Sequence, residues 1–268
     1  MRIDVRQARG MDRAALTAAL VADPARAGLV LDFDGVLAPI GDDPAASALD
    51  PGTAAVLAEL ATHLGVVAVL SGRPLAFLRE RAALPGLALH GSYGVQWSEG
   101  AVDRVLAEVA AWQPAVDGAS AALHETFDQV DGVHVEDKGI AVAVHWRRAP
   151  QHGAQVSSRV EQLVATTGLR AEPGKLVVEL RPPLDEDKGT ALRRIAAGLA
   201  TVVYAGDDRG DLAAMAAARE LGGHAVAVAH GAETAPELLE AADVVLQGTD
   251  EVAAWLTELL DALAGKAG

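Results

Sequence analysis

The sequence predicts an α/β protein: a parallel sheet covered by helices on both faces, interrupted by a smaller α+β block. Three observations predict it. Strands such as Gly28–Phe33 and Val66–Leu70 are apolar throughout rather than alternating, as strands buried on both faces are. Helical patterns separate successive strands, the order that builds a parallel sheet with its crossovers on the faces. Between about 101 and 183 this alternation gives way to paired strands and helices, and it then resumes.

Taken in order, helical spacing runs over Asp12–Val21 and leads into the strand Gly28–Phe33. Pro51–His63 reads as an amphipathic helix, with Pro51 in the first turn where a missing N–H costs nothing. The strand Val66–Leu70 ends in Ser71-Gly72-Arg73-Pro74; Pro74 opens a helix through about Ala83, and Leu87–His90 is a third short strand. Val102–Phe127 reads as one or two helices. Val133–Glu136 and Ile140–Arg147 form an expected hairpin around Asp137-Lys138-Gly139, Ala154–Thr167 is helical, and Leu169–Glu172 and Leu176–Arg181 pair around Pro173-Gly174. From Asp187 the order is helix to Ala200, strand Thr201–Ala205, helix Asp211–Leu221, strand Ala225–Val228, helix Pro236–Ala241, strand Val244–Leu246 and a closing helix near Glu251–Leu263. The expected division is a core of 1–100 and 184–268 with an insert at 101–183.

Composition narrows the function. The chain has 268 residues, 51% of them hydrophobic, enough for one large domain or two small ones. Its net charge of −15 would repel a phosphate backbone, which argues against nucleic acid as a partner. There is no cysteine, which excludes disulfides, thiolate catalysis and thiolate metal sites. No window reaches the roughly 18 apolar residues of a membrane span, and the first residues lack the apolar stretch of a signal peptide. A cytoplasmic monomer acting on a small molecule is expected.

The chemistry centres on Asp32 and Asp34 in LVLDFDGVLAPI, where a buried strand runs out into a loop. Ligands of open α/β sheets bind at that edge. Two acids so close repel, and a divalent cation would remove the conflict and hold a phosphate beside them. Ser71, Lys188 and Asp207/Asp208/Asp211 recur at other expected strand ends or helix starts. Together they suit phosphoryl transfer from a monoester, which needs a nucleophile, an acid for the leaving oxygen, a cation clamp and donors to the phosphate oxygens. A carboxylate can be the nucleophile and its neighbour the acid and then the base. Ser71 and the helix start at Pro74 suit phosphate oxygens, Lys188 adds a compact positive charge, and Asp207 and Asp208 complete an oxygen-rich Mg²⁺ site. Taken singly, Ser71 reads as an N-cap and Lys188 as a solvated helix-start lysine, whereas turn acids at Asp32/Asp34 and a capped turn at Gly206-Asp207-Asp208 are the lesser readings of those positions. Only order and spacing raise Ser71 and Lys188.

This order (DxDG, SGR, KG, GDDxxD) resembles the haloacid dehalogenase superfamily. The strings LDFDGVLAPI, VLSGRP, HGSYGVQ, VEDKGIAVAVHWR, GKLVVELRPPLDEDKGTAL and YAGDDRGD resemble its trehalose-6-phosphate phosphatases across nearly the whole chain. The resemblance implies a Rossmann-like core with a C2-type α+β cap that closes over substrate. It also implies a Mg²⁺-dependent phosphatase that makes trehalose through an aspartyl phosphate. Asp32 would be the nucleophile and Asp34 the acid–base. Asp32, the Asp34 main-chain carbonyl and Asp207 would hold Mg²⁺, and Asp208 and Asp211 would position metal-bound water. Ser71 and Lys188 would hold the phosphate. Lys138, Arg147, Lys175 and Glu179 would read the sugar, with Gly72, Arg73, His90 and Gly91 lining the core side. The chain departs from the family pattern where Gly210 and Leu212 replace Thr and Glu in the last acidic motif. It departs again where Tyr93 and Gln96 replace His and an acid in the HGSYGVQ loop.

Other readings stand beside this one. The same core serves phosphatases of sucrose phosphate, glucosylglycerol phosphate or mannosyl-phosphoglycerate, a phosphosugar mutase, and a binding protein without turnover. An EF-hand loop would need an oxygen ligand and then Gly where the sequence has Val36 and Leu37. Asp42-Asp43-Pro44 reads as a solvated loop, His145 as a structural strand residue, and Trp97, Trp112 and Trp255 as packing residues.

Overall fold

The structure, a computed structural model, describes residues 11–41, 47–174 and 176–266. Asp42-Asp43-Pro44 and Lys175 lie outside them. The chain divides into two compact units: Met1–Arg104 with Glu186–Gly268, and Val105–Asp185.

The first unit begins with helix α1 (Arg13–Ala22), capped by the Asp12 carboxylate, and strand β1 (Ala27–Leu31). It continues through α2 (Pro51–His63), β2 (Val66–Leu70), α3 (Leu75–Ala82), β3 (Ala88–Gly91), β4 (Gln96–Glu99) and β5 (Val102–Val105). In the second unit α4 (Ala107–Ala110) and α5 (Gln113–Phe127) precede β6 (His134–Asp137), β7 (Val142–His145), α6 (Gly153–Thr167), β8 (Arg170–Gly174) and β9 (Val177–Arg181). The chain then returns to the first unit with α7 (Lys188–Ile195), β10 (Thr201–Gly206), α8 (Leu212–Glu220), β11 (His224–Ala229), α9 (Pro236–Ala241), β12 (Val244–Gln247) and α10 (Gly248–Lys266).

The first unit's sheet has the order β12-β11-β10-β1-β2-β3-β4-β5, parallel from β12 to β3. The continuous apolar strands are explained by burial on both faces. Leu29, Leu31, Val67, Val69, Val203 and Val226 pack on one face against α1, α2, α3 and α10. Val30, Ala68, Leu70, Val202 and Tyr204 point the other way, into a layer with α7, α8 and α9. Each fully buried Leu or Val contributes roughly 1.5–3 kcal/mol, so the strand ends that carry the acids rest on a rigid support. Trp255 is fully buried in the first of these layers.

Strand order reverses between β1 and β10: β2 and β3 follow on one side, β11 and β12 on the other. That reversal opens a crevice outside the carboxyl ends of the two central strands. Residues 32–34 leave β1 and residues 207–208 leave β10 there. Asp32 N–H still donates to Ala205 O at 2.9 Å, so the two exits stay in register.

The second unit is an antiparallel sheet, β6-β7-β9-β8, with α5 and α6 against one face. Val135, Val142, Val144, Val178 and Leu180 meet Val116, Leu123, Phe127, Val156 and Val160 in its core. Trp112 packs against that core. Period-two alternation turns Glu136 and Glu179, which flank Ala143 in the register, to the opposite face.

Two expectations are corrected. Val102–Phe127 is not helical throughout: Val102–Val105 is a strand that follows β4 through a turn at Gly100, whose φ is +60°. This edge strand is exposed along its length, so it has no alternating apolar signature, and its two valines three apart imitate helical spacing. The first strand also stops at Leu31 rather than Phe33. There the Asp32 carboxylate accepts the Phe33 N–H at 2.7 Å, and Ala38 N–H bonds back to Phe33 O, bending the chain out of the sheet.

Candidate active site

Asp32, Asp207 and Asp211 converge: one carboxylate oxygen from each lies within 4.8 Å of the others. Asp32 is 5% exposed and Asp211 fully buried. Lys188, at the first position of α7 and 3% exposed, places Nζ 2.7 Å from Asp32 Oδ2 and 2.6 Å from Asp211 Oδ1. The Asp187–Thr190 capping box fixes that helix start and hence the lysine. Asp211 is saturated, accepting Tyr204 O–H and Lys188 on Oδ1 and the N–H groups of Asp207 and Asp208 on Oδ2.

Two glycines make this convergence possible. A Cβ on Gly35, whose φ is +71°, would sit 2.0 Å from Asp207 Oδ2, and one on Gly206 would sit 2.3 Å from Asp211 Cγ. The glycines of DxDG and GDD are therefore required by close approach of the carboxylates, the first by backbone sign as well.

The charges do not balance. One ammonium faces three carboxylates. Burial pushes the Asp32 carboxyl up to about 7, with Asp211 repelling it and Lys188 pulling back. Burial, then Asp32, Asp211 and Asp208, push Asp207 up to about 8. Burial also raises Asp208, with Asp211 adding to it. Burial opposes the Lys188 charge, but Asp32 and Asp211 hold that ammonium above its ordinary range. Among the described residues no donor hydrogen-bonds to the Asp207 carboxylate; His230 Nε2 stands 3.6 Å from Oδ2. An oxygen-only donor set with two uncompensated charges fits a hard divalent cation.

Asp34 points elsewhere. Arg73 grips it bidentately, Nε to Oδ2 at 2.7 Å and a terminal nitrogen to Oδ1 at 2.9 Å, and Ser47 Oγ donates to Oδ1 at 2.8 Å. Burial works against its ionisation, yet the Arg73 and Ser47 hydrogen bonds hold the carboxyl below its usual range. The Arg73 guanidinium lies 4.6 Å over the Phe77 ring. Asp208 turns away to accept Gly210 N–H at 2.7 Å. Ser71 is buried at the end of β2, beside β1, and its Oγ accepts Arg73 N–H at 3.2 Å. Gly72 packs under the Tyr93 ring and Gly91 against the start of α3. His90, at the end of β3, is pushed down to about 4 by burial and then by Arg194, so its ring is neutral at pH 7.

In the second unit Lys138 Nζ meets Glu179 Oε2 at 2.5 Å, each side chain 23% exposed. Arg147 is exposed beyond the end of β7. Sequence reasoning passed over Tyr204, Ser47 and His230. Tyr204 had a usable signal, two residues before Gly206 on a strand whose exit carries acids. Ser47 and His230 had none, because loop closure brings them in.

The fold has solved relatives. A structure described as a trehalose-6-phosphate phosphatase related protein superposes with a TM-score of 0.74 at 21% identity, covering 89% of this chain and 99% of that one. A haloacid dehalogenase-like hydrolase from Bacteroides thetaiotaomicron superposes at 0.60 with 15% identity, covering 87% of this chain and 98% of that one. The fold is that of the haloacid dehalogenase-like hydrolases. A trehalose-phosphate phosphatase of Mycobacterium marinum is 36% identical over 193 residues, 68% of this chain and 49% of that protein. The chain spans about half the length of the first curated relatives it matches. Residues 30–242 match the family described as Trehalose-phosphatase, and the chain belongs to that family.

Proposed function

We propose that the chain hydrolyses trehalose 6-phosphate to trehalose and phosphate through phospho-Asp32. The observation that carries this reading is the buried, charge-unbalanced set of Asp32, Asp207, Asp211 and Lys188 at the switch point of a trehalose-phosphatase chain. An Asp32 oxygen attacks phosphorus as the bond to the sugar oxygen breaks, and Asp34 gives that oxygen its proton. Asp34 then takes a proton from water, whose oxygen displaces the Asp32 carboxylate from phosphorus. Lys188 and Ser71 donate to the phosphate oxygens. Arg73 holds Asp34 ionised, the state of a base, and has to release it before it acts as an acid.

Asp32 and Asp207, with the Asp34 main-chain carbonyl, are the groups we assign to Mg²⁺, and Asp208 and Asp211 support them. When bound it supplies charge neutralisation for the acids and for the phosphate oxygens. We assign sugar recognition to Lys138, Glu179, Arg147 and Lys175, with Gly72, Arg73, His90 and Gly91 from the first unit. Among the described residues no helix is long and apolar enough to cross a membrane. A cytoplasmic monomer acting on a free sugar phosphate is part of the same proposal.

Phosphate release from trehalose 6-phosphate, sucrose 6-phosphate, glucose 6-phosphate and glucosylglycerol phosphate, with and without EDTA, tests it. Preference for trehalose 6-phosphate, lost in EDTA, is expected. Release from another sugar phosphate alone would overturn the substrate, and release undiminished by EDTA would overturn the metal.

A further inference from the structure

His230 carries an inference that rests on the reading above and deepens it. The residue follows β11 and belongs to none of the motifs read from the sequence. Its Nε2 lies 2.9 Å from the main-chain carbonyl of Gly35 and 3.6 Å from Asp207 Oδ2. A carbonyl oxygen only accepts, so Nε2 carries the proton and the tautomer is set. A protonated Nε2 cannot ligate a metal through that atom, so its influence passes through the groups it touches.

From behind, the His230 main-chain N–H donates to Thr234 Oγ1 at 2.7 Å. Cavities of about 360 and 600 Å³ flank the residue, and it lines both, together with Ile40. The side chain is 24% exposed, so the Gly35 hydrogen bond and packing together set where the ring lies. The ring joins the loops after β1 and β11, strands that β10 separates in the sheet.

We propose that His230 is a positioning residue for the metal-binding acids. It pins the Gly35 carbonyl, and with it the turn closed by Gly35 N–H to Ala38 O that carries Asp34. Its Nε2 also lies 3.6 Å from Asp207 Oδ2, a carboxylate that Asp32, Asp211 and Asp208 repel. Partners that orient metal ligands commonly govern affinity by 10–100-fold.

The test is calorimetric Mg²⁺ binding to the full chain without substrate, beside kcat and KM for trehalose 6-phosphate. His230→Leu, which keeps bulk and removes the donor, is expected to weaken Mg²⁺ binding about tenfold. It should lower kcat at sub-saturating Mg²⁺ and leave KM for the sugar phosphate unchanged. His230→Gln, whose amide nitrogen reaches the place of Nε2, should recover most of the affinity, which a loss of bulk alone would not allow. Thr234→Val should produce a smaller loss in the same direction. Wild-type Mg²⁺ affinity in a folded His230→Leu overturns the proposal; if that variant does not fold, wild-type affinity in Thr234→Val overturns it. A wild-type chain that binds Mg²⁺ yet releases no phosphate from any sugar phosphate overturns the proposed activity and leaves the calorimetric comparison decisive for His230.

Discussion

Lys188 and Lys138 each sit within 2.7 Å of a carboxylate, yet they mark opposite kinds of site. The Lys188 side chain is 4% exposed and faces three acids; Lys138 and its partner Glu179 are 23% exposed and pair one to one. Around the second unit's pair, Glu136 has His145 and Glu172 has Arg170 and Arg181. Two unit charges 4 Å apart interact by about 1 kcal/mol in water and about 4 kcal/mol at an effective dielectric near 20. The first unit therefore holds its imbalance where electrostatics are strong, as metal and phosphate chemistry requires. Around Lys138 the charges pair where water is near, as the proposed recognition of hydroxyls requires. The local excess of acids over cations, rather than the presence of an ion pair, distinguishes the proposed reactive site.

The largest expected effect separates the two regions outright. Asp32→Asn should lower turnover by about 10⁴-fold or more, with an unchanged circular dichroism spectrum, as loss of a nucleophile does. Normal turnover in the folded variant would remove Asp32 from that role. Lys188→Met should destabilise the fold by about 3–5 kcal/mol, because it strands buried acids without their counter-charge. Chemical denaturation measures this, and a loss below about 1 kcal/mol, the value of an exposed pair, would erase the contrast with Lys138.

A third test reads the imbalance through pH. The folded-state values of Asp32 and Asp207, about 7 and about 8, lie above the 3.8 of a free carboxyl. Between those limits the folded chain holds protons that the unfolded chain has released, so the cluster's contribution to stability falls as pH rises. Mg²⁺ competes with those protons. The melting-temperature gap between Mg²⁺ and EDTA samples should therefore widen from pH 5.5 to pH 8. A gap independent of pH would place the cation elsewhere. The smallest effect on stability belongs to Lys138→Met, below about 1 kcal/mol. Its KM for trehalose 6-phosphate should nonetheless rise about tenfold, the value of one charge-assisted hydrogen bond, with kcat nearly unchanged. An unchanged KM would withdraw Lys138 from sugar recognition.

The fold was legible wherever burial imposed a period. Strands such as Val66–Leu70 and helices such as Pro51–His63 and Pro236–Ala241 coincide with the sequence reading because their buried apolar positions answer to a packed layer. The exposed edge strand Val102–Val105 answers to none, and its spacing reads as helix. The convergence of Asp32, Asp207 and Asp211 with Lys188 was legible in the same way, since each lies at the end of a buried strand or the capped start of a helix. What sequence could not supply were contacts made by loop closure: the Arg73 and Ser47 grip on Asp34, and His230 on Gly35. No period links residues 195 apart, and only the assembled sheet edge brings them together.

The most direct test of the central claim is to quench the chain during turnover of trehalose 6-phosphate with Mg²⁺, reduce it with borohydride and sequence the peptides by mass spectrometry. An acyl phosphate at Asp32 would be reduced to the alcohol, so homoserine at position 32, absent without substrate, is the expected result. Homoserine at another acid, or none at any position while phosphate is being released, would contradict phosphoryl transfer through the buried carboxylate of the first unit.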